Sequence, residues 1–156
     1  MKTADNINII IPAAGMGRRM KSYGPKPLIK IGNSTIITNQ INLLRTYIPN
    51  PTIVLVCGFQ SNLLMNSTPN YIIKVENEKY DQTNVVRSIG MGLRAINNCK
   101  KLMIVYGDLV FNSATLKNIS FNESSIIIAQ RGMEYEEVGC IIDSNSQLIN
   151  LMYDLP

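Results

Sequence analysis

The 156-residue chain contains no histidine, and its three cysteines lie far apart in the sequence. The missing histidine excludes Ser-His-Asp and Cys-His catalysis, HExxH metalloproteases and histidine-rich zinc sites. Cys57, Cys99 and Cys140 lack the CxxC spacing of a zinc or redox motif, so buried or half-buried free thiols in a reducing compartment are expected. Any bound metal would have oxygen ligands, which favours Mg²⁺ or Mn²⁺.

Long apolar segments are also missing near the N-terminus, where the apolar run is only six residues long. A run of this length is too short for the core of a signal peptide or for a membrane span. We therefore expect a cytoplasmic protein that does not associate with a membrane.

Charged residues are few, at 17% of the chain, and the formal net charge is only +4. The length and the 46% hydrophobic content predict a single globular domain over residues 1–156. The densest basic cluster lies beside a glycine-rich loop and consists of Arg18, Arg19, Lys21, Lys26 and Lys30. A nucleic-acid groove usually carries more charge, so the cluster favours a site for one polyphosphate and no nucleic acid as partner.

Apolar runs alternate with segments of helical periodicity along the chain. The predicted strands are residues 7–12, 52–57, 71–76, 102–106, 125–129, 138–142 and 148–152. The predicted helices are residues 34–47, 60–66, 84–97 and 114–119, and the third should bury Val85, Ile89, Leu93 and Ile96. This order predicts an α/β fold with a Rossmann-like, mostly parallel sheet, helices on both faces and a late antiparallel hairpin.

The glycine-rich loop reads IPAAGMGRRMKSYGPKPL over residues 11–28 and follows the first predicted strand. Ligands of parallel α/β sheets bind at the carboxyl ends of the strands, which is where this loop begins. Glycines at 15 and 17 allow backbone N–H groups to face a phosphate, and nearby basic side chains add charge. Neither the GxGxxG dinucleotide motif nor the GxxxxGK[ST] phosphate loop fits these letters.

The string AAGMGRRM…GPKPLIKI resembles the G-x-G-x-R…P-K-P-L signature of nucleotidyltransferases with a glycosyltransferase-A-like fold, the nucleotide-diphospho-sugar transferase fold. These include sugar-1-phosphate nucleotidylyltransferases and the phosphocholine and methylerythritol-phosphate cytidylyltransferases. YDQTNVVRSI at residues 80–89 is similar to the T-N…S-[LI] stretch of the phosphocholine type, and RSIGMGL to the methylerythritol branch. The strand that ends in Gly107-Asp108 is similar to the segment with the family's first metal carboxylate.

The resemblance implies a role for each matching residue. Arg19 would bind the β- and γ-phosphates, Lys26 the α-phosphate, and Asp108 the Mg²⁺ ion. The residues implied near the nucleotide are Ala13, Ala14, Gly15, Gly17, Thr83, Asn84 and Ser88. From the residues alone, Asn84 and Ser88 also fit a helix cap and a surface position, and Gly107-Asp108 also fits a simple turn.

The implied reaction is Mg²⁺-dependent transfer of a nucleoside monophosphate, with CMP favoured, from a nucleoside triphosphate (NTP) to a small phosphorylated acceptor. A sugar-1-phosphate or phosphocholine would be the acceptor, and pyrophosphate would be released. Family members usually extend beyond the C-terminus of this chain, so a non-catalytic nucleotide-binding module or a subunit of a split enzyme is the alternative. Apolar residues in the late strands predict that the chain forms a homodimer.

Overall fold

The structure, a computed structural model, describes residues 6–17, 24–117, 119–128 and 138–152. By its internal contacts the chain divides into two units, residues 1–119 and residues 120–156. The first unit contains a four-stranded sheet with its helices, and the second contains a two-stranded hairpin.

The sheet of the first unit is built around β1 (Ile7–Ala13), in which every residue is buried. β1 pairs in parallel with β4 (Pro51–Cys57) on one side and with β6 (Lys101–Ile104) on the other. β5 (Ile73–Glu76) continues the sheet in parallel beyond β4, which gives the order β5-β4-β1-β6. A parallel strand covered on both faces needs apolar side chains at successive positions, and the isoleucine run supplies them.

The helices follow the strands in the order that the sequence predicts. They are α1 (Ile36–Tyr47), α2 (Ser61–Asn66), α3 (Val85–Arg94) and α4 (Ser113–Lys117). Thr35 caps α1 by accepting a hydrogen bond from the backbone N–H of Thr38. The buried face of α1 includes Ile37, Ile41 and Leu44, as its periodicity predicts.

Helix α3 packs against β1 and β4 through a face that includes only part of the predicted apolar set. Its buried residues are Ser88 and Gly92, whereas Val85 and Leu93 are exposed. A methyl group on Gly92 would lie 2.9 Å from Cγ2 of Ile10, so the small residue allows the helix to approach the sheet closely. The prediction was correct for Ile89 and Ile96, which pack half-buried against the Ile10 cluster.

Two short antiparallel pairs complete the described elements. In the first unit, β2 (Lys30–Ile31) pairs with β3 (Ser34–Thr35) just before α1. In the second unit, β7 (Gly139–Ile142) pairs with β8 (Leu148–Met152), and the turn between them is closed by Ser146 N–H donating to the Asp143 carbonyl. This is the predicted late hairpin.

The predicted strand at residues 125–129 is absent from the described part of that segment. Residues 124–128 have no regular structure, and residue 129 lies outside the described residues. Ile126, Ile127 and Ile128 are exposed and belong to no sheet ladder. Isoleucine favours strands only where a partner strand is available, so β-propensity alone was misleading here.

The described elements confirm the predicted fold class, a mostly parallel α/β sheet with helices and a late antiparallel hairpin. No helix in the described ranges has both the length and the apolar character needed to cross a bilayer.

The three cysteines differ in their surroundings. Cys57 is buried at the end of β4, Cys140 is half-buried, and Cys99 is exposed, which corrects the expectation that all three are at least half-buried. Burial raises the pKa of the Cys57 thiol from an ordinary value of 9.0 to about 12, since the buried thiolate would lose its hydration. Cys57 therefore stays protonated throughout the neutral range.

We predict that iodoacetamide at pH 8 alkylates Cys99 readily in the folded protein and leaves Cys57 unmodified. With a pKa of about 12, only about one Cys57 in ten thousand is a thiolate at that pH, and the side chain is fully enclosed. Peptide mass spectrometry measures both sites, and unfolding in guanidinium should expose Cys57 to the reagent. Equal alkylation of the two cysteines in the native protein would contradict this description of the core.

Candidate functional site

A cleft of about 230 Å³ opens at the carboxyl edge of the sheet, within the first unit. Most of the residues that the sequence singled out line it, although they come from four separate segments of the chain. The lining residues are Pro12, Ala13, Ala14, Gly15, Gly17, Lys26, Pro27, Tyr80, Thr83, Asn84, Val85, Ser88, Tyr106, Gly107 and Asp108.

Backbone hydrogen bonds beyond the strand ends bring these segments together. Val105 N–H donates to the Ile10 carbonyl at 3.0 Å, and Gly107 N–H donates to the Pro12 carbonyl at 3.2 Å, so the β6 segment follows β1 as far as the cleft. On the other side, Phe59 N–H donates to the Ala14 carbonyl at 3.1 Å. The edge of the sheet therefore sets the positions of both the glycine-rich loop and the Asp108 turn.

The glycine-rich loop begins directly after β1 with Ala14 buried and Gly15 exposed. Gly17 has a φ of 60°, in the left-handed region that favours glycine. Lys26 re-enters the cleft at the start of a 3-10 turn (Lys26–Leu28), in which Pro27 is buried. Arg19, the second basic residue with a predicted role, lies outside the described residues.

Lys26 and Asp108 face each other across the cleft. The distance from Lys26 Nζ to Asp108 Oδ2 is 3.6 Å, and the two side chains are 30% and 49% exposed. An ion pair with this exposure is screened by water and contributes little to stability. Breaking this ion pair therefore costs little free energy, so each group is available to a charged ligand.

Gly107 brings the Asp108 turn close to the glycine-rich loop. A methyl group at this position would lie 2.9 Å from Cβ of Ala13 and 3.1 Å from Cγ of Pro27. Only a glycine allows so close an approach. The Gly-Asp pair that the sequence offered either as a turn or as a metal carboxylate is a turn whose aspartate faces the cleft.

Thr83, Asn84 and Ser88 form the opposite wall, at the start of α3. Asn84 is the N-cap of α3, since its Oδ1 accepts from Arg87 N–H at 3.2 Å. Ser88 is buried rather than at the surface. The helix-cap interpretation thus holds for Asn84, while the surface interpretation of Ser88 was wrong.

Asn77 holds this wall together and was missed by the sequence analysis. It is 3% exposed, and its Nδ2 donates to Thr83 Oγ1 at 2.9 Å and to Ser88 Oγ at 3.1 Å. Its Oδ1 accepts from Lys79 N–H at 3.2 Å, which completes the hydrogen bonding of a buried amide. Its position directly after a strand was the only signal in the sequence.

Two tyrosines of the cleft were given no role by the sequence analysis. Tyr80 lines the cleft and makes an edge-to-face contact with Phe59 at 6.2 Å between ring centroids. Tyr106, which directly precedes the Gly-Asp pair, is 46% exposed at the same cleft. Such half-exposed aromatic rings offer surfaces against which a planar base can stack.

Among the described residues that line the cleft, Asp108 is the only carboxylate. Within the described residues there is no group of three acidic, cysteine or histidine side chains that could hold a metal by itself. Mg²⁺ commonly keeps several waters and binds through one or two carboxylates together with substrate phosphates. Asp108 could therefore contribute one oxygen ligand to such an ion.

Comparison with known proteins relates both the sequence and the fold to nucleotidyl transfer enzymes. Residues 9–145 match the profile of the MobA-like NTP transferase domain. The bifunctional protein GlmU of Campylobacter hominis is 28% identical over 154 residues, which cover 94% of this chain and 34% of that protein. The 2-C-methyl-D-erythritol 4-phosphate cytidylyltransferase of Salmonella arizonae is 29% identical over 100 residues, covering 61% of this chain and 40% of that protein.

The fold is similar to that of the CTP:phosphocholine cytidylyltransferase LicC from Streptococcus pneumoniae. The TM-score is 0.77 at 20% identity, and the match covers 95% of this chain and 64% of that one. The chain spans about a third of the length of the GlmU relatives that it matches.

We predict that Asn77→Ala lowers the free energy of unfolding by about 1–3 kcal/mol, because the substitution leaves buried polar groups without their partner. Urea denaturation followed by circular dichroism measures the change. Asn77→Asp should also destabilise, since it keeps the acceptor for Lys79 N–H but loses both donors.

Asn62→Ala is the matched control, because Asn62 is exposed on α2. This control should change the stability by less than about 0.5 kcal/mol, as exposed substitutions usually do. If Asn77→Ala proved as neutral as the control, the buried network would not be a structural element of the wall.

Proposed function

Because the chain belongs to the MobA-like NTP transferase domain family, we propose that it transfers a nucleoside monophosphate from an NTP to a small phosphorylated acceptor. The observation that carries this proposal is the cleft itself. Within it, a glycine-rich loop, Lys26 and Asp108 face one another at the carboxyl edge of a parallel sheet.

The proposed reaction is an in-line displacement at the α-phosphorus. An oxygen of the acceptor phosphate forms a bond to the α-phosphorus, and the bond from the α-phosphorus to the oxygen that bridges to the β-phosphate breaks. Pyrophosphate leaves with that oxygen. The acceptor phosphate is already an anion, so no proton has to be removed from it, and a cleft without histidine suffices.

In this proposal the glycine-rich loop binds the triphosphate through backbone N–H groups at Gly15 and Gly17, next to Ala13 and Ala14. Lys26 neutralises charge at the α-phosphate, where negative charge is redistributed during transfer. Arg19 would bind the β- and γ-phosphates. The nucleotide would separate Lys26 from Asp108, which their exposed ion pair permits.

Asp108 would hold Mg²⁺ in the proposed complex, together with phosphate oxygens of the nucleotide. When bound, the ion would supply charge neutralisation and orientation at the phosphates. The cleft fits this role because the Asp108 carboxylate lies opposite Lys26 and the glycine-rich loop.

CTP is the proposed nucleotide. The base would lie beside Thr83, Asn84 and Ser88 at the start of α3, with the ring of Tyr80 in the same cleft. Two relatives support cytosine, since their names describe a CTP:phosphocholine and a methylerythritol-phosphate cytidylyltransferase.

A sugar-1-phosphate or phosphocholine is the proposed acceptor. We also propose a cytoplasmic location, where NTPs are available and free cysteines stay reduced.

The alternative is a non-catalytic nucleotide-binding module or one subunit of a split enzyme. The described lining residues include one carboxylate, which favours this alternative, because metal-assisted transfer is better supported when a second carboxylate fixes the ion. Both candidates bind an NTP, so turnover separates them.

Pyrophosphate release is the test, with each of the four common NTPs combined with sugar-1-phosphates and phosphocholine in the presence of Mg²⁺. We expect Lys26→Ala to lower kcat/KM by about 10²–10³-fold, as the loss of one charge-stabilising group typically does. Lys30→Ala is the matched control, since Lys30 is exposed and does not line the cleft, and it should stay within about twofold of the parent.

CTP should give the highest kcat/KM among the four nucleotides. Calorimetric NTP binding without pyrophosphate release would support the binding module instead. If no NTP binds at millimolar concentration, both candidate functions are rejected, and a purine nucleotide at the top of the ranking would reject the CTP assignment.

We further propose that the chain forms a homodimer through its C-terminal hairpin. β7 and β8 expose five large apolar side chains, those of Ile141, Ile142, Leu148, Ile149 and Leu151. Burying apolar surface in an interface contributes a favourable free energy of roughly 25 cal/mol per Å². Light scattering across a concentration series should give twice the mass of one chain. Ile149→Lys should shift the protein to the monomer, while Ser144→Lys in the exposed turn should not. A monomer at all concentrations would contradict this proposal.

A further inference from the structure

Gln40 is a buried polar residue on the otherwise apolar inner face of α1, between Ile37 and Leu44. It is 2% exposed. Its Nε2 donates two hydrogen bonds, to the Tyr106 carbonyl at 2.9 Å and to the Leu109 carbonyl at 2.7 Å. Since both partners are acceptors, the nitrogen of the amide must be the atom that faces them.

These two carbonyls lie at the two ends of the turn that carries Asp108. The turn is closed by Leu109 N–H donating to the Tyr106 carbonyl at 3.2 Å. On its other side, Gly107 N–H donates to the Pro12 carbonyl at 3.2 Å. The backbone at Asp108 is thus held from β1 on one side and from α1 on the other.

The remaining atom of the amide argues against a purely structural role. Gln40 Oε1 is buried and has no hydrogen-bond partner among the described residues. A buried unsatisfied acceptor opposes folding, and a methionine of similar shape would avoid it. What methionine would lack is the pair of donors that fixes the turn.

We propose that Gln40 is the positioning residue that sets Asp108 for the metal–nucleotide complex, an inference that rests on the proposed function. Gln40 is not among the residues that line the cleft, and it acts through the backbone of residues 106–109. Metal sites depend on such outer partners, because they orient the groups that bind the ion. Loss of the two donors lets the turn move, and the Asp108 carboxylate is then less often in the position that binds the metal of the metal–nucleotide complex.

The test is Mn²⁺ binding, measured by electron paramagnetic resonance on the full chain with a non-hydrolysable CTP analogue. We expect Gln40→Met to weaken Mn²⁺ binding about 10–100-fold, the range typical of a lost outer partner. Binding of the analogue in excess chelator should stay within about twofold, because Lys26 and the glycine-rich loop are unchanged. A role in stability alone would not weaken metal binding selectively in the folded protein.

Two further variants make the result specific. Gln40→Asn keeps the amide but shortens it by one methylene, so it should weaken Mn²⁺ binding as well and remains available if Gln40→Met fails to fold. Asn42→Met is the matched control, since Asn42 is exposed on the same helix, and it should leave Mn²⁺ binding unchanged.

The outcomes separate this inference from the function on which it rests. If the parent chain binds Mn²⁺ with the analogue and both Gln40 variants bind it equally well, the inference is overturned and the proposed function stands. If the Gln40 variants lose metal-free analogue binding to the same extent, Gln40 supports the whole cleft and the inference is again wrong. If the parent chain binds neither the analogue nor Mn²⁺, the proposed function is rejected, and the inference is rejected with it.

Discussion

The parallel hydrogen bonding of β1 with neighbours on both sides is the constraint on which the cleft depends. Because every residue of β1 is buried, the strand cannot shift its register without exposing isoleucines or burying polar groups. Its end at Ala13 therefore defines where the glycine-rich loop starts. The bonds to the Ile10 and Pro12 carbonyls extend the same register to Gly107, so the Asp108 turn arrives beside that loop without a long connection.

This arrangement leaves a cleft with few charged side chains. Among its described lining residues, one cation and one carboxylate face each other, and the other side chains are neutral. A polyphosphate would meet N–H groups and Lys26 on one side and, through a metal, Asp108 on the other. The opposite charges of Lys26 and Asp108 suit a ligand that carries its own cation better than a bare anion, since a bare anion would be repelled by Asp108.

Local patterns in the sequence were sufficient to predict β1, α1 and β4, because a continuous apolar run and a capped amphipathic helix depend on neighbouring residues. They failed at residues 125–128, where strand formation needs a partner, and at α3, where Gly92 rather than Leu93 decides which face packs. The cleft residues that belong to the glycine-rich motif were identified from the sequence. Gln40 and Asn77 were not, because Gln40 binds carbonyls 66 and 69 residues further along the chain, and Asn77 lies outside the motif.

Gln40 and Asn77 have a common physical logic. Each is a buried amide whose nitrogen donates two hydrogen bonds, Gln40 to the turn beneath Asp108 and Asn77 to the hydroxyls of Thr83 and Ser88. An apolar residue fills space but does not specify where a carbonyl or a hydroxyl lies, whereas two donors on one planar group fix two acceptors relative to each other. The two walls of the cleft are thus held by separate amides from separate elements. Since these amides share no partner, their effects on the Asp108 turn and on the wall at the start of α3 should be close to independent.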